Sequence, residues 1–103
     1  MASLVDKMNT IREVVAAYAK DPVGGHSYLM ESIDGNVLSV IDVYEEEGRR
    51  QADTGLIVRI TGAYIIIERD MNNKPLVDAL MQAGIPREKI ILAYAGEPVP
   101  ETA

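Results

Sequence analysis

Residues 55–69 constrain the fold of this chain more than any other stretch. They read as two strands, 55–61 and 63–69, turned back on each other at Thr61-Gly62. Ile65-Ile66-Ile67 gives the second strand the β-branched density that suits a pleated, half-buried surface. A turn at Thr61-Gly62 sets Arg59 opposite Tyr64 and Val58 opposite Ile65. Strand alternation then places Leu56, Val58, Ile60, Ile65 and Ile67 on one face. Ile57, Arg59, Tyr64, Ile66 and Glu68 share the other, which mixes apolar and charged groups. One covered face and one facing water or a partner is the normal condition of an antiparallel sheet.

The flanking sequence supplies helices and more strands. Leu4, Met8, Ile11, Val15 and Tyr18 recur at helical spacing, which predicts a helix over 4–20. Ser3 is its N-cap, with Asp6 three residues on, and Asp21-Pro22 and Gly24-Gly25 stop it. Strands follow at 27–33 and 37–44, joined by a turn at Asp34-Gly35-Asn36. Residues 45–54 are polar and turn-prone and read as a connection. After a loop at 70–73, Pro75 suits the first turn of a second helix, with Asn73 or Lys74 as N-cap. Leu76, Val77, Leu80 and Met81 form its apolar face, Gly84 its C′ stop, and Pro86 follows. Residues 90–94 are a short last strand, and 96–103 a tail expected to fray. Strands in a run, rather than alternating with helices, predict an α+β fold. Its parts are an N-terminal helix, a mostly antiparallel sheet of four to five strands, a second helix packed on it and a short C-terminal strand. Residues 1–103 read as one domain, and the last strand has to return to the sheet, with a place beside a middle strand open to it.

Composition narrows what such a domain can do. The chain carries 10 basic and 16 acidic residues, a net charge of −6, and the excess is spread over both halves. Nucleic-acid binding normally needs Lys and Arg to neutralise several phosphates, so direct binding is not expected. No apolar run is long enough to span a membrane, and Asp6 and Lys7 interrupt the apolar residues near the start. There is no cysteine, which fits a cytoplasmic protein and rules out thiolate chemistry and Cys-ligated zinc.

No catalytic set emerges. His26 is the only histidine, with no nucleophile elbow or oxyanion motif beside it, and reads as an exposed loop residue. Glu45-Glu46-Glu47 point alternately along an extended chain and do not converge on an ion. Gly24-Gly25 and Gly35 lack phosphate-loop spacing. No metal ligands and no cofactor are expected, and the chain reads as non-enzymatic. A second reading has Asp42, Arg59, Glu68 and Asp70 line a polar cleft in a small ligand- or metal-binding domain or minor enzyme. There Glu68 and Asp70, two apart, share a face, while Arg59 reaches Glu68 across the hairpin. The mixed face offers Tyr64, Ile57, Ile66 and Arg59 as an interface, with Tyr64 as anchor.

At 84–94 the sequence becomes more specific. Gly84-Ile85-Pro86-Arg87-Glu88-Lys89-Ile90-Ile91-Leu92-Ala93-Tyr94 resembles the closing motif of the XisI family, the fdxN-element excision controlling factors. The matching motif positions are Gly84, Pro86, Glu88, Ile90 and Leu92. Tyr18-Ala19 at the end of the first helix, and Arg49-Arg50 before the hairpin, are similar to the family pattern as well. The chain departs from it at 31–36, at Val43-Tyr44 where the family has Gly-Trp, at Ile57–Ile60 where it has a His, and at 95–98. The resemblance implies a role in programmed excision of a DNA element in cyanobacteria, alongside a site-specific recombinase and a second accessory factor, XisH. It implies protein contacts, with a XisH-like partner, rather than chemistry. A small core with extra β-branched surface further predicts a homodimer or higher homo-oligomer.

Overall fold

The computed structural model describes residues 4–100. Its elements are α1 (Leu4–Ala16), β1 (Gly25–Glu31), β2 (Val37–Glu46), β3 (Arg49–Ile60), β4 (Ile65–Asp70), α2 (Leu76–Gln82) and β5 (Ile90–Leu92), with short 3-10 turns at Arg87–Lys89 and Ala93–Ala95. The fold class is α+β, as expected. The five strands lie in sequence order in one sheet. β1 to β4 are antiparallel, and β5 joins β4 in parallel. β5 therefore takes the end of the sheet rather than a place beside a middle strand. A parallel return needs a crossover, and α2 with its loops carries the chain back to the nearest free edge.

Both helices cover the same face. Ile11 and Val15 of α1 and Leu76, Val77 and Leu80 of α2 are buried in one cluster with Leu38, Val40, Leu56, Val58, Ile60, Ile65, Ile67 and Ile90. Burial at this level contributes about 1.5–3 kcal/mol per large aliphatic side chain, and it orients every other feature of the sheet. Among the described residues, no helix is long and apolar enough to cross a membrane.

α1 is shorter than the periodicity predicts. It closes at Ala16, where Tyr18 N–H and Ala19 N–H donate to carbonyls three residues back, Val15 at 2.9 Å and Ala16 at 3.0 Å. Tyr18 still serves the fold, because its hydroxyl donates to Lys74 O at 3.1 Å and ties the end of α1 to the start of α2. Ser3 lies outside the described residues, as does the side chain of Leu4.

Three local expectations are corrected. Residues 45–54 are not a loop: β2 and β3 continue through them to a two-residue turn, Glu47-Gly48, both at positive φ as such hairpins require. Glu45 faces Arg50 and Glu46 faces Arg49, so the charged run forms complementary cross-strand pairs. The β3–β4 turn is wider than Thr61-Gly62. Ile60 faces Ile65 and Arg59 faces Ile66, because the Thr61 hydroxyl accepts Tyr64 N–H at 2.9 Å and holds a four-residue loop shut. That register differs by two residues, which preserves both faces. Neither Asn73 nor Lys74 caps α2. Pro75 holds the N-cap position without a side-chain bond, and Leu76 N–H donates instead to Asp70 Oδ2 at 2.6 Å.

Candidate interaction surface

The sheet face away from the helices carries the residues expected to make contacts. Ile57, Arg59 and Tyr64 are half-buried there, and Arg59 Nε donates to Glu68 Oε2 at 2.7 Å. Ile66 has 0% exposure. It offers no contact surface, and its register partner on β5, Ile91, is buried as well.

A second part of this face is not anticipated by the hairpin alone. Register aligns Tyr28 with Ile41, Met30 with Ser39 and His26 with Val43. Tyr28 and Met30 are each 50% exposed, and Ile41 and Val43 are half-buried. An open apolar strip therefore runs from β1 across β2 to Ile57 of β3. The signal was present in the odd positions of β2, where Ile41 and Val43 stand opposite in phase to Leu38 and Val40.

The polar cleft of the second reading does not assemble. A bulge between Ile57 and Val58 leaves Glu68 beside Arg59, while Asp70 comes opposite Leu56 on the helix side. Glu68 and Asp70 thus fall on opposite faces. Asp70 is engaged locally, since it accepts Asn72 N–H at 3.0 Å, Asn72 Nδ2–H at 2.9 Å and the α2 amide. Asp42 also lies on the helix side, in an open groove of about 730 Å³ with Tyr18, Lys20, Asn72 and Lys74. Burial lifts the Tyr18 phenol above its usual pKa, and Asp70 and Asp78 add to the effect. Among the described residues, no group of three or more His, Asp or Glu side chains could hold a metal ion. His26 is exposed, with Nδ1 3.5 Å from Asp21 Oδ2.

The β5 edge of the sheet and the first half of its β1 edge are masked. On β5, Leu92 N–H donates to Glu97 Oε1 at 2.9 Å and Leu92 O accepts Glu97 N–H at 3.1 Å. Arg87 donates to Ile90 O at 2.8 Å and to Glu97 Oε2 at 2.7 Å. On β1, Gly25 N–H bonds Pro22 O and Ser27 N–H bonds Asp21 Oδ1. Such capping is how sheets avoid pairing edge to edge. It also means that the described part of the tail, 96–100, is anchored at Glu97 rather than frayed, while 101–103 lie outside the described residues. The closing motif thereby acquires a structural role. Gly84, at φ +98°, ends α2 and lets Ile85 turn back into the core, Pro86 opens the 3-10 turn and Arg87 guards the edge, whereas Glu88 is exposed.

An acid response follows from this clasp. The Leu92 N–H first, and the Arg87 guanidinium second, hold the Glu97 carboxyl below its usual pKa. A depressed folded-state pKa contributes stability above the ordinary glutamate range, and that contribution disappears as pH falls through the folded value. The Leu92 amide should therefore lose exchange protection on acidification, by NMR. Glu97→Gln should lower that protection at neutral pH and flatten its change with acid. Protection of Leu92 that is constant down to the foot of the carboxylate range contradicts this account.

Comparison with known proteins agrees with this architecture. The sequence model of the family described as XisI protein matches residues 1–102. No curated protein matches the sequence. A XisI-like protein from Anabaena variabilis ATCC 29413 has a solved structure 18% identical to this chain, with a TM-score of 0.74, covering 87% of this chain and 85% of its own. The fdxN element excision controlling factor XisI from the same organism is 24% identical, with a TM-score of 0.66 and 92% of each chain covered. At these identities the two structures speak for the fold.

Proposed function

The chain belongs to the XisI family, and from that premise we propose that it is a non-enzymatic accessory factor in programmed DNA-element excision. It works in the cytoplasm through protein contacts, beside a site-specific recombinase and with a XisH-like partner. The observation that carries this reading is the family match across residues 1–102. The name of the solved relative, an excision controlling factor, supports the same direction. The open apolar strip on the helix-free face supports action by contact, since exposed Tyr and Met side chains beside half-buried aliphatics suit protein interfaces. An overall charge of −6 disfavours direct grip on DNA and favours a partner that supplies the DNA contacts.

Co-expression with the products of the neighbouring genes tests the reading. The expected result is a stoichiometric complex with a XisH-like protein that survives gel filtration, its mass read by light scattering. If every neighbouring product elutes apart from this chain at micromolar concentration, the reading fails.

A further inference from the structure

We propose that the helix-free sheet face is covered by a second copy of this chain, packed face to face about a twofold axis. The inference rests on reading that face as a contact surface, and it names the occupant. Three observations converge on it.

Charge comes first. The chain as a whole carries −6. The strand residues that point to this face include Arg50, Arg59 and Arg69 against Glu45 and Glu68, a net of +1 by the strand registers. Only two of the 16 acidic residues are therefore among them. Two copies of an acidic protein repel each other through their net charge, and a face whose strand residues sum to +1 does not add to that repulsion. A strongly basic partner finds little to hold there.

Geometry comes second. The edge of β5 is closed by Arg87 and Glu97, and the first half of β1 by Asp21 and Pro22. Strand addition is closed off at β5 and along the first half of β1, so the face is the broader route by which the sheets of two copies meet. Over β1, β2 and β3 the face is about 15 Å across, about 23 Å long at the seven residues of β1 and about 35–40 Å long at β2 and β3. That is roughly 450 Å² per copy and about 900 Å² in all, the size of a weak pair that forms at tens of micromolar.

Side chains come third. Tyr28 and Met30, each 50% exposed, stand at one margin of the strip, and Ile41, Val43 and Ile57 form its floor. A twofold axis brings the Tyr28–Met30 margin of one copy over the floor of the other. The same patch serves both copies.

The full chain should scatter light as a dimer at tens of micromolar, with twice its 11.3 kDa mass. Tyr28→Lys combined with Met30→Lys should raise the dissociation constant by about 100-fold or more, with an unchanged circular dichroism spectrum. Val23→Lys, at a residue 98% exposed and outside the strip, should leave the mass alone. If the double variant does not fold, isotope-filtered NMR on a labelled and unlabelled mixture of the unmodified chain decides. Intermolecular contacts at the Met30 methyl are then expected. A monomeric unmodified chain overturns the inference, and so does a dimer whose contacts avoid Met30 or that the folded double variant leaves intact. A monomer that still binds a neighbouring gene product sinks this inference alone, whereas a dimer that binds none sinks the proposed function alone.

Discussion

Ile67→Ala should lower stability by about 4 kcal/mol. Ile67 is fully buried, and it lies in the cluster shared by both helices and four strands. Truncation removes three methyl or methylene groups and leaves a void walled by β-strand backbone, which relaxes little. For a domain of this length such a loss lowers the melting temperature by about 20 °C, and total stability is only about 5–15 kcal/mol. Ile67→Val should cost about 1 kcal/mol and keep the fold. Thermal melts of the two variants check the gradation. A loss below about 1 kcal/mol for the alanine would mean that α1 or α2 collapses into the space.

Gly25→Ala should be comparably damaging for a different reason. A Cβ there would sit 2.1 Å from Val43 O and 2.6 Å from Tyr44 Cα. Both are main-chain atoms of the paired strand, so no side-chain rotation relieves the clash. The strands must part at the start of β1. That breaks the Glu45 N–H bond to Gly24 O and shifts the Asp21 and Pro22 caps on the edge. Overpacking of this kind costs about 3 kcal/mol, which corresponds to a fall of roughly 15 °C. Hydrogen exchange should show the first loss of protection at Glu45. Wild-type stability would show that β1 and β2 approach less closely than the structure has them.

These two sites show what the sequence makes legible and what it hides. Ile67 was readable as core from alternation alone, because a face survives a register shift of two. The hairpin loop is two residues wider than Thr61-Gly62, yet Leu56, Val58, Ile60, Ile65 and Ile67 all fall on the buried face. Alternation fails where a bulge interrupts it, and the shared face that the second reading gives Glu68 and Asp70 falls with it. Composition misled at 45–54, where charge resembles a loop until the Glu46–Arg49 and Glu45–Arg50 pairing is seen. Those pairs depend on which strand lies beside which, and spacing along one segment carries no such information. The same limit hid the Tyr28–Met30 margin. The strip exists only once β1 is laid against β2, and neither strand announces it alone. Gly25 reads from sequence as a turn glycine, whereas its need arises from a main chain far along the sequence.

The clasp at β5 has a colloidal side. Ile90-Ile91-Leu92-Ala93-Tyr94 is an uncharged run of high β-propensity, the composition that seeds cross-β stacking. In the folded chain its strand is sealed by one arginine and one glutamate whose side chains are 41% and 39% exposed. The seal is a gatekeeper that water and protons can reach. Acid that neutralises Glu97 weakens its bonds to Leu92 N–H and Arg87, while the Glu97 N–H bond to Leu92 O and the Arg87 bond to Ile90 O stay in place. The same clasp keeps an uncharged, β-prone run from offering its free edge to a second chain.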